Sequence, residues 1–110
     1  MRAITTALLS LTLLGASAWS KPAAAQPATA PELVAAGAKL FSEHCATCHG
    51  RRMRNPQWGI DLRTFPRDGQ ARFTDAVSYG KRAMPPWEDL LSPEQIASLW
   101  TYVSSGDPGD

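Results

Sequence analysis

The chain's only two cysteines, Cys45 and Cys48, stand three positions apart in the run CATCHG, and His49 follows directly. No other feature constrains the fold as tightly, because two thiols so placed must act together on something local. A disulfide between them would close too small a loop to add much stability, and it would leave His49 without a part. A structural zinc site takes four ligands from two spaced pairs. Here the candidates His44, Cys45, Cys48 and His49 crowd into six residues, and one short stretch cannot wrap a tetrahedron. A thiol–disulfide exchange pair sits after a strand in a βαβ unit, and the chain shows no such pattern.

Cys-x-x-Cys-His is instead the attachment signature of a c-type haem. Two thiols at this spacing add across the vinyl groups on one edge of the macrocycle, and the adjacent histidine is carried beneath the iron as an axial ligand. Such attachment takes place outside the cytoplasm, and the start of the chain agrees. Arg2 precedes an uncharged, Leu-rich run over residues 3–20 that contains the small residues Ala16 and Ala18, the pattern of a secretory signal peptide. We read residues 1–25 as that signal, with cleavage after Ala18 or Ala25. An uncleaved membrane anchor is the alternative. Its 18 residues are at the bottom of the spanning range, and three threonines and three serines dilute the run. Residues 26–30 read as a disordered leader, and residues 31–110 as one domain. A core of that size supplies only a few kcal/mol without a staple. A covalently held, mostly buried haem meets that need.

Net charge is near zero, but its distribution is uneven. Residues 51–82 carry eight basic side chains against three acidic ones, and residues 88–110 carry five acidic side chains and no basic ones. Segments of opposite sign make a dipolar molecule with a docking face. The balance falls well short of a nucleic-acid-binding domain.

Helical signals dominate the rest. PELVAAGAKLFSEHC, residues 31–45, has Pro31 at a first-turn position. It also carries an apolar stripe of Leu33, Gly37, Leu40, Phe41 and His44. A glycine inside that stripe costs about 1 kcal/mol relative to alanine, so it marks a close approach by another helix. GRRMRNPQWGID, residues 50–61, reads as a loop, and LRTFP as a short extended or turn segment. A second helix follows over RDGQARFTDAVSYG, residues 67–80, with Phe73, Ala76, Val77 and Tyr79 inward and Gly80 as a left-handed stop. Pro85 and Pro86 forbid a helix next and keep Met84 extended. The last helix has Ser92 as N-cap, Pro93 at its first position, Gln95 completing a capping box, an apolar stripe of Ile96, Leu99, Trp100 and Val103, and Gly106 at its end. The expected fold class is all-α, with three main helices and long irregular connections.

Three stretches, GAKLFSEHCATCHG, AMPPW and SPEQIASLWTYVSSG, resemble a small class I cytochrome c across residues 31–106. The resemblance implies that Gly37 and Phe41 pack against Trp100, helped by Leu99 or Val103, where the first and last helices cross. It also implies Met84 as the sixth ligand beside His49. Three observations agree. Met84 lies 35 residues past His49, enough chain to round the haem; it stands on a proline-stiffened loop; and its rival Met53 is only four residues past His49. His44, adjacent to Cys45, reads as a surface or packing residue. Many relatives carry Gly-x-Pro-Asp-Leu after the haem motif, where the proline carbonyl accepts the proximal Nδ1–H. This chain departs from that with Gly59, Ile60, Asp61 and Leu62, which leaves the Ile60 and Pro56 carbonyls as rival acceptors. Trp58, Trp87 and Arg63 either bind a haem propionate or pack. Arg51, Arg52 and Arg54 read as a solvated loop face.

With His49 and Met84 both on the iron, no position stays open for O₂ or peroxide, and this ligation raises the reduction potential relative to other axial sets. No second His, Arg or Glu stands where it could serve as a distal acid or base. The resemblance thus implies a monomeric periplasmic carrier of single electrons and not an enzyme. It holds one haem c through Cys45 and Cys48 and works between a dehydrogenase or respiratory donor and a terminal acceptor. DLRTFP, GKRAMPPW and LSPEQIASLW look like the small cytochromes that serve periplasmic quinoprotein dehydrogenases. A quinoprotein dehydrogenase and a terminal oxidase are therefore the expected redox partners. Membrane contact is expected only if the N-terminal segment stays uncleaved.

Overall fold

The computed structural model describes residues 19–20 and 26–108; all of the expected signal peptide except Trp19 and Ser20 lies outside them. Among the described residues there are four α-helices, α1 (Ala30–His44), α2 (Ala46–His49), α3 (Gln70–Tyr79) and α4 (Pro93–Ser105), and no strand. Short 3-10 turns occupy Arg51–Met53 and Leu62–Thr64. The three expected main helices are α1, α3 and α4; α2 is a single turn formed by the CATCH motif itself. No described helix is long and apolar enough to cross a membrane.

Local chemistry sets the helix ends. The Glu32 carboxylate accepts hydrogen bonds from the Thr29 backbone N–H at 2.7 Å and the Thr29 hydroxyl at 2.8 Å, which starts α1 one residue before Pro31 and holds the Glu32 carboxyl below its ordinary value. At α4 the expected capping box is present: Gln95 N–H donates to Ser92 Oγ at 3.1 Å and Ser92 N–H donates to Gln95 Oε1 at 2.8 Å. Gly106 closes α4 in the left-handed conformation, with φ 76° and ψ 21°. Arg67 Nη1 donates to the last-turn carbonyl of Val103 at 2.7 Å. Replacing Ser92 with alanine removes the cap and should destabilise the protein by about 1 kcal/mol, readable as a lower urea midpoint.

The core forms where α1 crosses α4. Gly37 lies against the Ser98 carbonyl group, and a Cβ there would overlap the Ser98 oxygen and sit 2.7 Å from Tyr102 Cβ. The expectation of a close approach at Gly37 holds. The aromatic partner differs from the one implied: Phe41 meets Tyr102, with ring centroids 5.4 Å apart and planes at 54°. Trp100 lies two positions earlier, about 200° around the helix. It packs instead with Phe73 at 5.3 Å and Phe65 at 6.1 Å. Leu99 and Val103 are buried in the same cluster, as are Ile96, Leu91, Leu62, Val77 and Met53.

Helix α3 departs from the sequence reading on its outer face. Phe73 and Val77 are buried as expected, but Ser78 takes the third inward position and Tyr79 is 68% exposed. The reason is tertiary: Ser78 lies about 100° around the helix from Val77, and the chain after Pro86 covers it, with Trp87 N–H on Val77 O and Glu88 N–H on Ser78 O, whereas Tyr79 turns out. Gly80 has the expected positive φ, 77°, but with ψ 162° it leads into an extended segment and not a left-handed stop.

A partly buried ion pair joins the loop after CATCH to the end of α4. Arg52 Nε donates to Asp107 Oδ2 at 2.8 Å, and the Asp107 side chain is 9% exposed. Arg52 thus leaves the expected solvated face and becomes a tertiary contact. Beside it, burial first and the Asp107 carboxylate second push the Tyr102 phenol up to about 12. A group whose folded value exceeds its ordinary one of about 10 favours the protonated fold. That contribution is complete below pH about 10 and lost as pH rises toward 12. In Tyr102→Phe this part of the alkaline loss should vanish, which denaturant titrations of the two proteins between pH 9 and 12 would show.

Candidate haem-attachment site

The CATCH turn is built by hydrogen bonds along its own backbone. Cys45 N–H donates to Phe41 O at 2.9 Å, so the motif starts directly from the end of α1, and His49 N–H donates to Cys45 O at 2.9 Å. Gly50 then reverses the chain at φ 83°; a Cβ there would overlap the Arg54 carbonyl oxygen. Cys48 is exposed and Cys45 half-buried. Burial, then the neighbouring Cys48, push the Cys45 thiol up to about 11.

His49 is held from below. Its side chain is buried, and Nδ1 lies 3.0 Å from the Ile60 carbonyl oxygen. A carbonyl only accepts, so Nδ1 carries the proton and Nε2 keeps its lone pair for a metal. The choice between Ile60 and Pro56 is thereby decided in favour of Ile60. The loop that supplies this carbonyl is clamped to the motif: the N–H groups of Gln57, Trp58 and Gly59 all donate to Cys48 O, at 3.0, 3.1 and 3.0 Å. Gly59 packs directly on the imidazole.

Met84 stands on a second rigid segment. Lys81 and Met84 exchange two backbone hydrogen bonds, each 3.0 Å, across a two-residue turn in which Arg82 has φ 55°. Beyond Pro85 and Pro86, Trp87 N–H donates to Val77 O at 2.9 Å, which fastens the loop to the end of α3. Met84 is half-buried against the core. Met53 is fully buried within it, so its thioether is occupied by packing. His44 packs on Trp87 with ring centroids 5.3 Å apart, which gives the packing role expected of His44 and the packing alternative for Trp87. Arg63 forms a two-point pair with Asp61, at 3.1 and 2.8 Å. Trp58 is 86% exposed.

Sequence reasoning missed Gly59, Tyr102 and the Arg52–Asp107 pair. Only Gly59 left a signal, as a glycine beside the proposed acceptor.

Two thiols on one turn beside a buried histidine with Nε2 available are the groups that c-type haem attachment takes, and the fold is that of a small haem carrier. The chain matches the family model Cytochrome C oxidase, cbb3-type, subunit III over residues 32–103. It is 36% identical over 101 residues to cytochrome c6 of Nostoc sp., covering 87% of this chain and 89% of that protein. It is 34% identical over 89 residues to quinohemoprotein alcohol dehydrogenase ADH IIB of Pseudomonas putida, covering 77% of this chain and 13% of that one. Among solved structures it resembles cytochrome CL of Methylophaga aminisulfidivorans, with TM-score 0.59 and 26% identity, over 67% of this chain and 53% of that one. The chain belongs to this family of class I c-type cytochromes. It carries one haem c, bound through Cys45 and Cys48, and serves electron transfer without being an enzyme.

Proposed function

We propose that the protein is a monomeric periplasmic carrier that moves single electrons on a haem ligated by His49 and Met84. The observation that carries this reading is the His49 imidazole, buried and fixed with Nδ1 on Ile60 O. That bond orients the ring and raises its donor strength toward the iron. When bound, the haem supplies one-electron chemistry. Cys45 and Cys48 would hold it, and His49 and Met84 would bind its iron, which would leave no place for a reacting ligand. Residues 1–25 act as the export signal, residues 26–30 as a leader and residues 31–110 as the cytochrome domain. The partners we infer are a quinoprotein dehydrogenase, supported by the similarity to ADH IIB, and a terminal oxidase, supported by the family description.

Intact mass tests the attachment and the export. Protein matured in a periplasm should exceed the cleaved chain by one haem, and its pyridine haemochrome should report two thioethers. A mass lower than the cleaved chain by two hydrogens, as for a disulfide, would refute the reading.

The docking face is testable separately. Lys81 and Arg82 are exposed on the turn before Met84, and Arg51 and Arg54 are exposed after the CATCH motif. Arg52, held by Asp107, stands outside this patch. Exposed charges contribute little affinity individually but steer encounter, so they should raise an acidic partner's association rate about 10-fold or more at low salt. In stopped-flow electron transfer, Lys81→Glu/Arg82→Glu should slow the reaction strongly at low salt and weakly near physiological salt. Equal rates at both would move docking to another face, such as the apolar one around Pro86 and Trp87.

A further inference from the structure

The contact between Gly59 and His49 goes beyond ligand identity. We propose that Gly59 is a positioning residue: by lying against the imidazole without a side chain, it fixes the plane of the His49 ring and its hydrogen bond to Ile60, and so sets the donor strength of the proximal ligand. This rests on His49 being the axial ligand and says what tunes it.

Three observations carry the inference. First, Gly59 is not among the glycines at positive φ, so its backbone conformation is open to any residue and the glycine is required for space alone. Second, that space is the imidazole itself: a Cβ at Gly59 would overlap Nδ1 and lie 2.5 Å from Cε1 and 2.9 Å from Cγ. Third, neither partner can retreat. The Gly59 segment is pinned by three N–H groups on Cys48 O, and His49 is held by its own N–H on Cys45 O and by Nδ1 on Ile60 O. The same carbonyl-bearing residue, Cys48, carries the thiol for attachment, so the clamp, the ring and the anchor form one rigid unit.

A methyl group at position 59 must therefore displace the ring. Displacement lengthens the Nδ1–H···O bond, removes part of the imidazole's electron density and makes it a weaker donor. A weaker donor favours the reduced iron. Ile60, by contrast, acts only through its backbone carbonyl, and its side chain is 62% exposed.

Spectroelectrochemical titration and NMR of the haem-bearing protein test this in Gly59→Ala. At a fixed potential, Gly59→Ala should shift the ratio of reduced to oxidised protein about threefold or more toward the reduced form, and the His49 ring resonances should move. A haem-bearing Gly59→Ala protein with wild-type potential and resonances overturns the proposal. Should Gly59→Ala fail to mature, the decision passes to His49→Gly supplied with free imidazole. There, adding Gly59→Ala should lower the affinity for imidazole about tenfold, and an unchanged affinity overturns the proposal. A His49→Gly spectrum identical to wild type without imidazole would instead refute His49 as ligand, a separate failure.

Discussion

Replacing Met84 with alanine should leave the haem attached and open its distal face. Attachment depends on Cys45 and Cys48 on the CATCH turn, whereas Met84 sits on the Lys81–Met84 turn, fastened independently to α3 through Trp87 N–H and Val77 O. The two functions are carried by different segments and should separate on mutation. The expected result is loss of the methionine–iron charge-transfer band in the oxidised protein, a lower potential and new binding of CO or cyanide. Met53→Ala serves as the contrast. Met53 is fully buried in the core, so its truncation should cost about 2–5 kcal/mol of stability and leave the band in place. If Met53→Ala abolishes the band and Met84→Ala spares it, the distal loop has been assigned to the wrong methionine. Gly80 gives a milder version of the same test, since a Cβ there would lie 2.8 Å from Met84 O and 2.9 Å from Pro86 N.

Gly37→Ala should destabilise the protein at the crossing of its first and last helices. Helix propensity argues the other way, because alanine is favoured over glycine in a helix interior by about 1 kcal/mol. The added methyl would, however, overlap the Ser98 oxygen and lie 2.7 Å from both the Ser98 carbonyl carbon and Tyr102 Cβ. Ser98 contributes backbone atoms of a packed helix, which cannot swing aside as a long side chain can. Relief requires moving α1 from α4, and with it the Phe41–Tyr102 contact and the cluster around Leu99 and Val103. Overpacking of this kind costs about 1–3 kcal/mol and here acts on the main interface of a small core, so we expect a net loss of about 2 kcal/mol. Urea denaturation of the haem-bearing protein measures it. A midpoint equal to or above wild type would mean that the helices are not in close contact at Gly37.

The haem anchor was legible in the sequence because it is local. Cys45, Cys48 and His49 fall within five residues of one another, and the chemistry demands that spacing wherever the turn sits. The α4 boundaries were legible for the same reason: Ser92, Pro93, Gln95 and Gly106 act on backbone groups within four residues of themselves. Gly37 was legible as an anomaly, a poor helix former inside an apolar stripe. Only the tertiary structure decided what each of these meets. Trp100 and Tyr102 are both large aromatics on the same helix, and their two-residue offset sends them to different partners. Ile60 and Pro56 offer chemically equal carbonyls, and only the clamp on Cys48 O sets which one reaches Nδ1. Arg52 and Asp107 are 55 residues apart. In sequence each looks like a solvated charge, because periodicity reports which side of an element is apolar and says nothing about which distant element covers it. Motifs whose chemistry closes within one turn are written in the sequence; contacts that close only when separate segments pack depend on the fold's geometry.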